Sequence, residues 1–422
     1  MKLLLGFFDL FVPILFGYIY ILITGRISSE DYMIFFLVYS LALIITSLLF
    51  GFYKEYFFRS YFSEKLRISF ITAISAAIIQ FIFSLSQNIS IDTYIFLSWI
   101  LIPVFILFIR YIIKVNLYLI RNRKPIYIID HHYKFNDYEI SSLSDRGYDI
   151  FFYDSIDDYR EKELKKKEYK KKLLVINTTE VTEKDRKKIE ENIITDIELY
   201  TVEEFMEVFL RKIYITKEST SILTLRSYQD ITYFEKRFID FTAVIIILPF
   251  LILLIFISFF VKLVQSPKGS IIFNQKRYSI NNSIFKMYKI RTMHSGSDKD
   301  GSIEVNDTAT YPYGKILRRY RLDEIPQIIN IIKGDMHLVG PRAEWVKLAN
   351  VYKDKIDFYN VRSIVRPGIT GWAQVMFRYG HGEGDAKQKL MYDLFYIKNW
   401  SIWIELEICI KTLMVMLDKR GF

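Results

Sequence analysis

The stretch F-T-A-V-I-I-I-L-P-F-L-I-L-L-I-F-I-S-F-F-V, residues 241–261, decides how this chain is arranged. It holds no charged residue, and as a helix it is long enough to cross the ~30 Å hydrocarbon layer of a bilayer. Two features argue against a simple crossing. Pro249 falls near the centre, where its missing N–H and its ring break or bend a helix. Both flanks are also basic, with Arg226, Lys236 and Arg237 before and Lys262, Lys268, Lys276 and Arg277 after. A true span keeps its positive excess on one side. The charge pattern outweighs the length rule here. A helix over about 238–264 is expected to enter the membrane, bend at Pro249 and return to the same face.

Four more apolar segments open the chain, at 3–23, 32–53, 68–87 and 92–113, each long enough to span. The 24–31 loop sets Arg26 against Glu30 and Asp31, and the 88–91 loop has no basic residue. The 54–67 loop carries Lys54, Arg59, Lys65 and Arg67, and the segment after the fourth span carries Arg110, Lys114, Arg121, Arg123 and Lys124. Both ends of this bundle therefore face the cytoplasm. No charged residue lies mid-span except Asp9, close enough to an end to snorkel or pair. A transport path needs polar groups inside the membrane, so the bundle reads as an anchor.

At 422 residues, two or three domains are expected. The net charge of +10 suits an anionic partner: lipid headgroups, a nucleotide diphosphate or nucleic acid. Cys409 is the lone cysteine, which excludes an internal disulfide and a cysteine-based zinc site. The five histidines form no H-E-x-x-H pattern.

Residues 121–215 alternate short apolar runs (126–129, 150–153, 173–176, 197–200) with charged stretches, the pattern of a small doubly wound α/β domain. The glycine fingerprint of a dinucleotide site is missing. The first run leads into Asp130-His131-His132-Tyr133, and Gly147 is the domain's only glycine, so dinucleotide binding is rejected. His131-His132 reads as loop, with a metal or phosphate contact as the alternative. The basic run 160–172 reads as a solvated helix, with contact to anionic lipid as its alternative.

Within 216–422 lies R-R-Y-R-L-D-E-I-P-Q-I-I-N-I-I-K-G-D-M-H-L-V-G-P-R, residues 318–342. Ile325, Ile328, Ile329 and Ile332 recur as one buried helical face. Pro326 suits the first helical position and Gly334 the residue past the end. Asp323 and Glu324 thus fall at the positive end of a helix dipole, which favours their ionised form. Arg318, Arg319 and Arg321 precede them, and Arg342 follows a Gly-Pro turn. An ionised carboxylate among fixed cations suits attack on a phosphate ester. An isolated Asp-Glu pair would more often be a capped core helix with a solvated basic face. The tail 400–417 fits an interfacial helix and a core helix equally well.

Four segments in order carry a resemblance: K-R-F-I-D-F (236–241), F-K-M-Y-K-I-R-T-M (285–293), R-L-D-E-I-P-Q-I-I-N-I-I-K-G-D-M-H-L-V-G-P-R (321–342) and V-R-P-G-I-T-G-W-A-Q-V (365–375). Over about 230–422 the chain resembles the bacterial sugar transferases, the polyprenyl-phosphate glycosyl-1-phosphate transferases of monotopic type. With four spans and an α/β domain ahead, it is similar to the large form of that family. The resemblance implies transfer of a sugar-1-phosphate from a UDP-sugar to undecaprenyl phosphate with release of UMP, initiating exopolysaccharide, capsule or O-antigen synthesis. It makes Asp323 the nucleophile of a phosphosugar-enzyme intermediate and Glu324 its partner, with both as ligands of Mg2+. It implies substrate contacts at Lys289, Arg291, Arg318 and Arg342, extended to Arg321, Arg366 and Arg378. It also implies a re-entrant helix bent at Pro249.

The implied architecture is a membrane protein of α plus α/β class. A four-helix transmembrane region covers 1–120, a Rossmann-like α/β domain without nucleotide fingerprint 121–215, and an α-rich catalytic domain 216–422. Its expected place is the bacterial inner membrane, with the catalytic domain on the cytoplasmic face. Membrane lipids are expected partners and nucleic acid is not; homo-oligomers and polysaccharide-assembly proteins stay open. Departures from the family pattern are Leu248 before Pro249, Arg321 before L-D-E, His337 in G-D-M-H-L, Ala343 after G-P-R and the 380–385 loop. The competing reading is a non-catalytic membrane scaffold. Glycoside hydrolysis is disfavoured, because neighbouring carboxylates diverge around a helix start instead of facing each other across a bond.

Overall fold

The computed structural model describes residues 2–24, 30–50, 59–86, 93–113, 123–129, 133, 135–159, 172–176, 197–215, 233–265, 270–294, 310–377 and 382–417. Arg378, His131-His132, most of the 160–172 run and the start of the 380–385 loop lie outside them. The chain forms two compact units, Met1–Val202 and Glu203–Phe422.

The first unit begins with four helices: α1 (Lys2–Thr24), α2 (Glu30–Leu49), α3 (Phe62–Ser86) and α4 (Thr93–Ile113). α1 packs on α2 and α4, and α3 packs on the same two, so sequence neighbours close an antiparallel ring. Tyr20, Phe35, Phe36, Tyr39, Ile95 and Ile102 fill its centre, while rows of Leu, Ile and Phe face outward. Such an inside-and-out apolar helix suits a lipid solvent. At Gly17 a Cβ would stand 2.7 Å from the Phe36 ring, so glycine sets how closely α1 and α2 approach. Three polar contacts cross between helices. Asp9 pairs with Arg110, Gln80 joins Trp99 and the Phe35 carbonyl, and Ser40 donates to the Leu10 carbonyl at 3.0 Å. α1, α2 and α3 each carry a stretch long and apolar enough to cross a membrane, and α4 carries the apolar run Tyr94–Arg110.

Four parallel strands follow, β1 (Lys124–Ile129), β2 (Tyr148–Tyr153), β3 (Lys172–Ile176) and β4 (Ile197–Thr201), in the order β2-β1-β3-β4. Each apolar run read from the sequence is a strand. The central pair β1 and β3 is almost wholly buried, as a sheet covered on both faces requires. α5 (Asp137–Asp145) starts with a capping box: the Asn136 side chain accepts from Glu139 N at 2.9 Å, and Glu139 returns the bond to Asn136 N.

The second unit starts at Glu203, ahead of the expected border at 215. Residues 203–215 are held to it by strong contacts. Arg211 pairs with Glu407 at 2.9 Å, Lys398 with Glu207 at 2.8 Å, Ile213 N donates to Met391 O, and the Trp372 indole donates to Arg211 O.

The 241–261 stretch lies in α6 (Tyr233–Gln265), with Pro249 inside it. Lys236, Asp240, Val244, Leu251, Ser258 and Lys262 are buried, every fourth or seventh residue, and the other faces expose Phe, Ile and Leu. The first turns of α6 dock on the segment before Gly340. Lys236 donates to Val339 O and pairs with Glu405, Arg237 donates to Ile331 O, and Asp240 receives His337 and Leu338 N. The far end docks as well: Ser258 bonds the Tyr313 hydroxyl at 3.1 Å, and Tyr313 N donates to Gln265.

Around α6 stand the hairpin β5 (Ile272–Tyr278) and β6 (Ile284–Ile290), α7 (Pro312–Arg319), α8 (Ile328–Lys333), β7 (His337–Val339), α9 (Val346–Lys355), β8 (Gly368–Thr370), α10 (Glu383–Lys398) and α11 (Ile402–Leu417). α11 is both a core helix and an apolar surface. Ile404, Glu405, Glu407 and Ile408 are buried, whereas Ile402, Leu406, Leu413 and Met414 are exposed. Glu405 accepts from Lys236, Tyr396 and Trp400, which ties α6 to α11.

Candidate active site

The Asp-Glu pair sits on a tighter turn than its periodicity suggests. Residues Leu322–Gln327 form a 3-10 helix that passes into α8, so Pro326 lies inside the turn instead of at the first α-helical position. Three residues per turn advance the phase faster than 3.6. The buried face therefore comprises Pro326, Gln327, Ile328, Asn330 and Ile331, and Ile332, expected inside, is half exposed. Gly334 closes α8 in the left-handed conformation (φ 82°), as read from the sequence. Arg321, also left-handed (φ 54°), turns the chain from α7 into the 3-10 segment.

Two fixtures hold that turn. Asn330 is fully buried and clamps the backbone of β6, accepting from Tyr288 N at 3.1 Å and donating to Lys286 O at 2.7 Å. Gly314 lets α7 lie against residue 292, where a Cβ would meet Thr292 O at 2.3 Å. Arg318 then reaches Thr292 with Nε at 2.8 Å. On the other side, Gly340 and Gly368 interlock: Gly340 N donates to Thr370 O and Gly368 N to Pro341 O. A Cβ on Gly340 would stand 2.7 Å from Arg366 O. This joint aims Arg342, whose Nη2 donates to Glu324 Oε1 at 2.8 Å.

The four ordered sequence segments thus pack together along the 321–342 stretch, and within it Asp323 is 9% exposed. Burial and the adjacent Glu324 carboxylate push its acid up to about 6, against the pull of Lys289, Arg318 and Arg342. The ionised form that the helix start was expected to favour is therefore opposed by desolvation. Burial alone would raise Glu324 too, but the ion pair with Arg342, with Arg321 and Lys289 nearby, holds it below the usual carboxylate range. Lys289 is lowered by burial and by Arg277, despite Asp323. The pair is split: Glu324 is a fixed anion, and Asp323 is a carboxylate poised to exchange charge.

Other expected contacts stand farther out. Arg291 donates Nε to Ser270 O and lies over Phe273, and Arg366 is beside His337. His337, the residue in place of a serine, bonds Asp240 of α6 at 2.6 Å. Arg277 is the residue the sequence reading left out, counted there only as a basic flank of α6. Its guanidinium donates to Ala343 O at 2.9 Å, faces Glu344 at 3.7 Å, and is lowered to about 10 by burial and by Arg342. Its strand register, opposite Phe285 in the same hairpin as Lys289, is the signal that could have found it.

A profile described as bacterial sugar transferase matches residues 231–419. The chain is 35% identical over 231 residues to a UDP-N-acetylgalactosamine-undecaprenyl-phosphate N-acetylgalactosaminephosphotransferase of Aeromonas hydrophila, covering 54% of each. It is 38% identical over 161 residues to a UDP-glucose:undecaprenyl-phosphate glucose-1-phosphate transferase of Xanthomonas campestris, covering 37% of this chain and 33% of the relative. A UDP-glucose:undecaprenyl-phosphate glucose-1-phosphate transferase of Caulobacter vibrioides is 34% identical over 203 residues, covering 46% of this chain and 75% of the relative. The match therefore spans about half the length of the Aeromonas relative and a third of the Xanthomonas one.

Proposed function

The chain belongs to the bacterial sugar transferase family, and we propose that it moves a sugar-1-phosphate from a UDP-sugar to undecaprenyl phosphate. The observation that carries this reading is the Asp323–Glu324 pair with Lys289, Arg318 and Arg342 acting on it. Asp323 attacks the phosphorus that bears the sugar, an Asp–phosphorus bond forms, and the bond to the UMP oxygen breaks. A phosphate oxygen of undecaprenyl phosphate then attacks the same phosphorus and frees Asp323. Splitting one displacement into two is the use of a nucleophilic carboxylate. Lys289 and Arg318 hold the charge that spreads over the phosphoryl oxygens. Glu324, tied to Arg342, keeps that cation aimed and raises the basicity of its neighbour.

The donor set fits magnesium. Among the described residues no group of three His, Cys, Asp or Glu side chains stands ready for a metal. Asp323 and Glu324 would hold the ion with phosphate oxygens and water completing the shell, which is how magnesium prefers to bind. When bound, the ion neutralises the leaving nucleotide phosphate.

The re-entrant reading of α6 is supported by its two anchored ends. Along a straight axis Asp240 and Ser258 would stand about 27 Å apart, nearly a hydrocarbon thickness. Both bond to groups of one compact unit. Anchoring of both ends by one unit favours a helix that returns to the face it entered, and the basic flanks favour the cytoplasmic face. The test of function is UMP release from a panel of UDP-sugars, dependent on added undecaprenyl phosphate. Release with at least one sugar is expected, and none with any sugar would return the chain to the scaffold reading.

A further inference from the structure

Two guanidiniums that the reaction steps do not use converge on the chain beside Arg342. Arg362, in the 3-10 turn Tyr359–Ile364, donates Nη2 to the Arg342 carbonyl at 3.1 Å. Arg277, on β5, donates Nη1 to the next carbonyl, that of Ala343, at 2.9 Å. We propose that Arg277 and Arg362 are positioning residues of the transfer reaction: together they clamp the backbone on which Arg342 stands, and so hold its guanidinium on Glu324. The inference rests on the reaction proposed above and adds what keeps Arg342 in place.

Arg342 needs such a hold. Its side chain is 36% exposed, and its Nη2 must reach Glu324 Oε1 at 2.8 Å. A long side chain that open to solvent keeps much of its rotamer freedom. Where its backbone stands therefore weighs on whether the guanidinium meets the carboxylate beside Asp323. The two clamps, by contrast, are only 13% and 11% exposed, and a carbonyl removed from water takes whatever donor the fold supplies.

Each clamp is itself anchored. Arg362 also donates Nη2 to Asp393 of α10 at 2.8 Å and Nη1 to the Tyr359 hydroxyl at 2.8 Å. Arg277 donates Nη2 to the Gln275 side chain at 2.7 Å. Glu344 lies between the two, one carboxylate oxygen 3.7 Å from Arg277 and the other 3.8 Å from Arg362. A guanidinium suits this task, because its rigid fork can hold a carbonyl and an anchor at once. An ion pair that served only to dock α10 would be complete with Arg362 and Asp393. Instead, donors from two separate elements meet successive carbonyls of one short segment. Placing them beside Arg342 is opposed by charge: burial and the Arg342 guanidinium lower Arg277 to about 10. Glu344 and Asp393 supply the negative charge that offsets it.

The test is a double-mutant cycle on the full chain in detergent or nanodiscs, reading kcat/KM for UMP release from a UDP-sugar that the wild type uses. Arg277→Gln and Arg362→Gln are each made in the wild type and in Arg342→Ala. In the wild type each should lower kcat/KM about tenfold or more, as a misplaced group does. In Arg342→Ala the same substitution should cost less than about twofold further, because no guanidinium is left to aim. Equal losses in both backgrounds would mean that the two arginines act on the whole domain or on the substrate directly, and would overturn the assignment. Wild-type kcat/KM in either single variant would do the same. Arg362→Gln leaves Asp393 buried without its partner, so Arg362→Met combined with Asp393→Leu takes its place if that variant fails to fold. If Arg342→Ala turns over nothing, the cycle is read on Kd for the UDP-sugar by calorimetry, with the same outcomes. A wild-type chain that turns over no UDP-sugar would instead sink the donor reading itself, and this assignment with it.

Discussion

Replacing Glu324 by glutamine should slow the enzyme and, against intuition, extend its activity to lower pH. Asp323 stands at about 6 because of burial first and the Glu324 charge second. A group whose acid is raised is protonated as pH falls through that value, so the attacking carboxylate is lost below about pH 6 in the wild type. Glu324→Gln removes the repelling charge and releases Arg342 from its 2.8 Å ion pair, so Asp323 feels more of that cation. Both changes favour the carboxylate. Burial is unchanged, so the return is partial: from about 6 toward, but not reaching, the ordinary 3.8. We expect the acid limb of kcat/KM to fall to about pH 5, one pH unit corresponding to 1.36 kcal/mol. The same substitution should lower kcat at pH 7.5 by about 100-fold or more, the usual scale for losing a fixed charge in a catalytic site. The assay is UMP release between pH 4.5 and 8.5 at low donor concentration, where kcat/KM reports the free enzyme. Thermal unfolding at each pH serves as the control. An acid limb that stays at pH 6, or moves up, would refute the coupling of the two carboxylates.

Asn330→Leu strips the clamp from β6 and leaves Tyr288 N and Lys286 O without it, costing about 2–3 kcal/mol; a drop in chemical-denaturation midpoint checks this. Gly340→Ala forces the turn away from the Arg366 carbonyl at 2.7 Å and should displace Arg342; UMP release should fall at least about tenfold while membrane association is kept. Cysteines placed at Phe238 and Val264, both outward on α6, should react with an impermeant maleimide in inside-out vesicles and not in intact cells. Labelling of one from each side would mean that α6 crosses the membrane.

The parts legible in the sequence are those set by period and composition. Runs of apolar residues between charged ones became β1 to β4, and long apolar stretches became α1 to α4 and α6. Asp9 found its partner in Arg110, as a charge near a membrane end must. The illegible parts depend on contacts distant in sequence. A six-residue 3-10 turn rotated the face expected of Ile325 and Ile332, and no local signal marks it. Residues 203–215 left the α/β domain because Arg211 pairs with Glu407, almost two hundred residues away. Arg277 was hidden because a basic residue beside an apolar helix already had an explanation. The acidity of Asp323 was judged from a helix dipole, and the burial that outweighs it appears only once β6, α7 and the Gly340 joint are assembled around it.

The most direct measurement concerns the covalent step. Enzyme incubated with a UDP-sugar in the absence of undecaprenyl phosphate should gain the mass of one sugar phosphate. Digestion should place the adduct on the peptide containing Asp323, and later addition of undecaprenyl phosphate should remove it. Asp323→Asn should carry no adduct and release no UMP. An adduct that persists in Asp323→Asn, or turnover of UDP-sugar by that variant, would contradict the account.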